Sequence, residues 1–211
     1  MIYEMRTYTV AAGELPTVVK NAGEVAREVR GDNFGKLEGY WITEIGPLSQ
    51  VMHLWSYDSL NERARLREAL SQHKPWVEDY LPLILPRLVR QDIRLMNAFL
   101  PFKPPSSEGN VYELRNYRAR PGKAKDWAKL FAEVMPAREK YSSNVCAWHT
   151  EAGQPNEVCH LWVYPDLNAR MAARAAAGKD EDWKAFLKNT TGMMVEAHSA
   201  ILVPAPHSPM K

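Results

Sequence analysis

Glu4, Arg6 and Tyr8 occupy alternate positions of one short stretch, and Glu113, Arg115 and Tyr117 repeat that arrangement in the second half of the chain. His53, Trp55 and Tyr57 alternate in the same way, and His160, Trp162 and Tyr164 return as their twins. Alternate residues of a strand share one face. Each half therefore offers a carboxylate, a guanidinium, an imidazole and several aromatic rings in one place. A guanidinium can bind an anionic group, an imidazole can move a proton, and the rings can hold a flat ligand. On that reading His53 and His160 are the candidate catalytic residues. Glu4, Arg6, Tyr8, Trp55, Tyr57, Glu113, Arg115, Tyr117, His149, Trp162 and Tyr164 are the candidate substrate-binding residues. The other reading is a self-satisfied network, with Glu4 paired to Arg6, that only fixes the fold, because a buried charge without a partner is costly.

His149 belongs to the second half alone, Ile42 taking its place in the first. If the turn Gly153-Gln154-Pro155-Asn156 pairs Ala152 with Glu157, His149 lies opposite His160. Two histidines across strands, with His198 from the closing strand, could share a proton or bind a metal. A one-residue slip would separate them, and no HxxxH pair or carboxylate dyad supports the idea, so no metal ligand and no cofactor is assigned. Arg63-Ala64-Arg65-Leu66-Arg67 reads as a solvated helix face, with an anion site as the alternative. Trp76 and Trp183 read as anchors of helix to sheet. A Gly-rich phosphate loop and a nucleophile elbow are both missing from the sequence.

These residues recur because one unit is written twice. Val51-Met52-His53-Leu54-Trp55-Ser56-Tyr57 returns as Val158-Cys159-His160-Leu161-Trp162-Val163-Tyr164. Each copy opens on an alternating strand, turns at Gly13 or Gly122, and continues with helical spacing over about 14–30 or 123–140. A hairpin follows, from Tyr40-Trp41-Ile42-Thr43-Glu44 or Ala147-Trp148-His149-Thr150-Glu151 into the repeated motif. Ser59-Leu60-Asn61-Glu62 signals a helix start of the capping-box kind, and Asp166 keeps the cap in the second copy. Pro82 and Pro86 break the next helical stretch. A strand over about 90–97 or 197–203 closes each copy. Residues 1–100 and 111–204 are thus two units, 101–110 a Pro-rich linker, and 205–211 an extended, exposed tail.

Strand, helix, strand, strand, helix, strand is the ferredoxin-like order, an antiparallel sheet with helices on one face. The fold class expected is α+β: two tandem ferredoxin-like units whose sheets pack face to face as an intramolecular dimeric α/β barrel. Parity then suggests that Met5, Met52, Leu54, Leu114, Cys159 and Leu161 lie under the helices. The Glu, Arg, Tyr, His and Trp set would face the barrel interior.

The Tyr-Glu-Met/Leu-Arg-x-Tyr first strand, the glycine after it, the Trp-bearing hairpin and the His-Leu-Trp-x-Tyr strand leading to Leu-Asn-x-Arg together resemble the NIPSNAP family, in both halves. The resemblance implies a dimeric α/β-barrel fold built from tandem copies and leaves activity open. The wider superfamily includes cofactor-independent monooxygenases, haem enzymes and small isomerases. The leading expectation is a small aromatic or anionic molecule bound in the barrel, with cofactor-independent oxygenase or isomerase chemistry in view. The alternative is a non-catalytic protein-interaction module with a structural barrel.

Composition bounds the partners. A formal net charge of +2, evenly divided between the halves, presents no basic face for nucleic acid. No membrane span is expected, since the longest uncharged apolar runs are far short of one. Cys146 and Cys159 lack CxxC spacing and suit buried thiols in a reducing cytoplasm, with a redox pair as the alternative if their strands are antiparallel neighbours. A small molecule is the expected partner, and homo-oligomer formation is left open.

Overall fold

The computed structural model describes residues 1–211. In chain order the first half comprises β1 (Ile2–Val10), α1 (Leu15–Asn21), a π-helical turn (Ala22–Ala26), α2 (Arg27–Arg30), β2 (Lys36–Ile45), β3 (Gln50–Tyr57) and α3 (Leu60–Ser71). A second π-helical turn (Trp76–Tyr80), α4 (Leu81–Ile84) and a 3-10 turn (Leu85–Arg87) lead to β4 (Leu88–Ala98). The second half comprises β5 (Val111–Ala119), α5 (Ala124–Arg138), β6 (Ser143–Ala152), β7 (Glu157–Tyr164), α6 (Leu167–Ala177), α7 (Glu181–Asn189) and β8 (Met194–Pro204). Pro82 and Pro86 sit in the first turns of α4 and the 3-10 segment, where a missing N–H is tolerated, so this region is helical but broken.

The chain forms two compact units, one of residues 1–95 with 203–211, the other of residues 96–202. In unit 1 the strands run in the order β4-β1-β3-β2, and in unit 2 β8-β5-β7-β6. Antiparallel register fixes the candidate residues. β1 sets Glu4 against Trp55 and Arg6 against His53 on β3. β5 sets Glu113 against Trp162 and Arg115 against His160 on β7. On the other side of the same histidines, β2 places Tyr40 beside His53, and β6 places Ala147 beside His160. Both helices after the central strands are capped as expected: Glu62 N donates to Ser59 Oγ at 3.0 Å, and Ala169 N donates to Asp166 Oδ1 at 2.8 Å.

The end of the chain departs from the sequence expectation. Residues 205–211 are docked, not exposed: Ala205, Ser208 and Met210 are buried. Ala205 N donates to Tyr40 O, and Tyr40 N donates to Ser208 Oγ, each at 2.9 Å. The cause is the main chain of Tyr40 on β2, whose amide and carbonyl would otherwise be unmet. Unit 2 solves the same problem with the segment after β4, where Phe99 N donates to Ala147 O at 2.9 Å and Lys103 N to Val145 O at 2.7 Å.

Candidate functional site

The candidate side chains sit on the opposite sheet face from the one parity suggested. Tyr8, Tyr40, Trp55 and Tyr57 form one buried cluster with Val18, Val19, Ala22, Tyr80 and Ile84, so they lie beneath the helices of their own unit. Trp162 and Tyr164 cluster likewise with Trp127, Phe131, Met135 and Phe186. Met5 and Leu54, expected under the helices, are buried on the other face, as are Leu114 and Leu161. The reason is electrostatic. Buried charges need partners, and the arginines that can reach Glu4 and Glu113 from outside the sheet are carried by the helices.

Glu4, fully buried, accepts hydrogen bonds from Arg6 on its own strand and from Arg63 on α3. Arg6 also donates to the Tyr8 hydroxyl. Burial alone would raise the Glu4 carboxyl, but the charges and hydrogen bonds of Arg6 and Arg63 outweigh it, and its pKa is lowered. In unit 2 the balance shifts toward the helix. Arg170 on α6 grips Glu113 with two bonds, 3.0 and 2.7 Å, Ser199 donates at 2.6 Å, and Arg115 stands off at 3.8 Å. Burial is again overcome, by the Arg170 and Ser199 hydrogen bonds first, and the Glu113 carboxyl falls to about 2.

Beyond this ion pair each unit holds a cavity between sheet and helices. The unit 1 cavity, about 350 Å³, is lined among others by Arg6, Tyr8, Arg30, Tyr40, His53, Trp55, Arg67, Trp76, Tyr80 and His207. The unit 2 cavity, about 340 Å³, is lined by Arg115, Tyr117, Trp127, Phe131, Arg138, His160, Trp162, Arg174, Trp183 and Phe186. Glu4 and Glu113 lie beneath the lining. Tyr57 supports it, its hydroxyl accepting from Arg30 at 3.3 Å. Tyr164 faces a separate recess formed with linker residues 103–107.

His149 stays outside the Arg115 cavity. The register pairs it with Val158 and gives His160 the partner Ala147, because the turn takes two more residues from β6 than the simplest hairpin would. Its ring packs on Phe99, centroids 4.7 Å apart. His198 is exposed on β8 near Glu196, so the imagined histidine trio does not assemble. No group of three or more His, Cys, Asp or Glu is placed to hold a metal ion.

Two arginine pairs escaped notice in the sequence. Arg30 stacks 3.4 Å above the Trp55 ring, with Trp76 at 5.7 Å, and Arg138 lies 4.6 Å from Trp162 and 5.3 Å from Trp183. Burial pulls the Arg30 guanidinium down to about 10, only partly offset by Tyr57. Equal-spacing comparison hides this pair, since the π-helical turn Ala22–Ala26 adds one residue to the first helix and none to α5. The second pair, Arg67 and Arg174, lines the cavities four residues beyond Arg63 and Arg170. Spacing of four puts both on one helix face. That repeated pattern was the available signal, and it corrects the view of Arg63 to Arg67 as a merely solvated run.

The NIPSNAP family model matches residues 3–100 and again residues 112–209. The chain belongs to the NIPSNAP family. Among NIPSNAP relatives it is 29% identical to human NipSnap homolog 3B, over 99% of this chain and 85% of that protein. It is also 29% identical to the NipSnap homolog of Dictyostelium discoideum, over 96% of this chain and 87% of that one. Two solved structures follow the NIPSNAP chain from end to end. A monooxygenase candidate from Lactobacillus acidophilus superposes with a TM-score of 0.69 at 15% identity, covering 100% of this chain and 98% of its own. Another from Fusobacterium nucleatum superposes with 0.72 at 12% identity, covering 97% and 92%. At such identity the fold is what is shared: α+β, two tandem ferredoxin-like units of the dimeric α/β-barrel kind. No helix of this NIPSNAP chain is long and apolar enough to cross a membrane.

Proposed function

We propose that this protein binds a small, flat, anionic molecule in the helix-covered cavities of its units. The carrying observation is a charge imbalance. Each site gathers four arginines, Arg6, Arg30, Arg63 and Arg67 or Arg115, Arg138, Arg170 and Arg174, around a single buried carboxylate. Glu4 and Glu113 neutralise one charge each, while Arg67 and Arg174 line the cavities, Arg174 reaching Glu113 only at 4.0 Å. Desolvated like charges are unfavourable unless an anion joins them. The walls supply the second half of the recognition: Tyr8, Tyr40, Trp55 and Trp76 in unit 1, Tyr117, Trp127, Phe131 and Trp162 in unit 2. A protein-interaction module with a purely structural interior would leave no such cavity at Arg6 and His53.

Turnover is a further step of the same proposal. The monooxygenase descriptions of the two bacterial fold neighbours, and that of an anthrone oxidase-like protein, make oxygen uptake without added cofactor the first assay. Two buried thiols, Cys146 and Cys159, neither in a disulfide, support the reducing cytoplasm as the setting. Binding is tested by tryptophan fluorescence with benzoate-like acids against their neutral amides. The acid should bind at least about tenfold tighter, and Arg67→Gln with Arg174→Gln should remove that preference, a tenfold change corresponding to about 1.4 kcal/mol. Equal binding of acid and amide overturns the proposal.

A further inference from the structure

In both units the tryptophan two residues after the histidine donates its indole N–H to the imidazole Nδ1: Trp55 to His53 and Trp162 to His160, each at 2.6 Å. An indole nitrogen only donates, so Nδ1 must accept. A neutral imidazole has one N–H, and it therefore resides on Nε2. Burial, with Arg115 next, keeps the His160 pKa well below its ordinary value, so the ring is neutral near pH 7.

The two units then differ. In unit 1 the cross-strand neighbour of His53 is Arg6, already engaged by Glu4 and Tyr8. In unit 2 the neighbour of His160 is Arg115, whose Nε faces Glu113 Oε1 at 3.8 Å, an ion pair too long for a hydrogen bond, so that His160 Nε2 and Arg115 Nε are both buried without a hydrogen-bond partner. Both residues line the same cavity. Native proteins rarely leave a buried donor unmet, and two on adjacent strands ask for a shared acceptor.

We propose that His160 Nε2–H and Arg115 Nε–H form an oxyanion seat in the unit 2 cavity, taking a phenolate or enolate oxygen of the flat ligand, with Trp162 fixing the imidazole as donor. This seat rests on the binding reading above and gives it a substrate class: a planar molecule whose acidic oxygen is bound ionised. It also changes the part expected of the histidine. With Nδ1 occupied and Nε2 protonated, His160 has no free lone pair to accept a proton. It polarises the bound oxygen as a neutral electrophile. Phe131, 5.1 Å from the imidazole, and Tyr117, at 4.9 Å, hold the ring in place.

Long-range nitrogen–proton NMR on the intact protein reads the tautomer directly. His160 should show the Nε2–H form at neutral pH, and Trp162→Phe should give a tautomer mixture at His160 while leaving His53 unchanged. An Nδ1–H or cationic His160 at neutral pH overturns the seat. The binding arm uses 4-nitrophenol, whose ionisation is visible by absorbance. Its pKa should fall by on the order of one unit when bound, a tenfold shift in ionisation. His160→Phe should abolish that shift, His160→Gln should preserve much of it because an amide still donates, and His53→Phe should change it far less. Melting temperatures screen each variant for folding. Absence of any nitrophenol binding to the unaltered protein overturns the ligand-site reading and the seat with it. Binding and ionisation that survive His160→Phe unchanged overturn the seat alone.

Discussion

Unit 1 and unit 2 enclose cavities of nearly equal size, about 350 and 340 Å³, yet wall them differently. Counting from the turn glycines Gly13 and Gly122, Val18 and Ala22 of unit 1 become Trp127 and Phe131 in unit 2. Trp127 and Phe131 stack on each other, centroids 4.6 Å apart, and close around His160. In unit 1 that space is left to Tyr40, stacked on His53 at 5.1 Å, and to His207 of the docked tail, 4.5 Å from Tyr40. A buried carboxylate held by arginines and the Trp–His pair recur in both units while the wall chemistry changes. On the proposed reading, what the units share is the arginine cluster for an anion, and what separates them is the body of the molecule each would take.

The largest test of that contrast is Phe131→Ala, which opens the aromatic wall of unit 2. Truncation of a fully packed phenylalanine should cost about 3–5 kcal/mol in urea unfolding, and a loss below about 1 kcal/mol would show that the wall is not a packed one. Glu113→Gln should cost about 3 kcal/mol, since it leaves Arg170 and Arg115 without their carboxylate. The same group predicts a pH dependence. Its carboxyl is held down to about 2 by Arg170 and Ser199 in the folded protein, against 4.5 for an unperturbed glutamate. Its contribution is therefore complete above about pH 4.5 and disappears as pH falls through 2. Acid unfolding of Glu113→Gln should be correspondingly flatter across that window.

Ala22→Phe makes the opposite exchange and gives unit 1 the wall of unit 2. Overpacking should cost about 1–3 kcal/mol and should block anion binding in unit 1 while sparing unit 2, as read by the stoichiometry of nitrophenolate. Smallest is Gly23→Ala. A Cβ there would come within 2.9 Å of His207 Nδ1. The expected penalty is about 1 kcal/mol, accompanied by faster limited proteolysis of residues 203–211; unchanged cleavage would mean the tail is not held there.

The fold was legible because its signals are local and doubled: alternation in β1 and β5, turn glycines, capping residues, and a motif that returns in register. Part of the cavity lining was legible for the same reason, since Arg6 and His53 share a strand face whichever way that face turns. Which way it turns was not. Period-two alternation separates two faces without saying which one the helices cover, and Met5 and Leu54 look equally at home on either. Arg30 and Arg138 were hidden by a single extra residue in a π-helical turn, a backbone detail with no side-chain signature. The docking of Ala205 and Ser208 was hidden because its partner is the main chain of Tyr40, and backbone edges leave no mark on composition.

That docking has a consequence for biosynthesis. Unit 1 begins at Ile2, but the open side of its β2 strand is met by β8 and, at Tyr40, by residues made only after β8. At ordinary elongation rates the first half must wait on the order of ten seconds on the ribosome with that edge unpaired. Unit 2 meets no such delay, since the segment following β4 is already present when β6 emerges. The half translated first is thus the half completed last, and a nascent chain stalled before β8 would present the Tyr40 edge to chaperones.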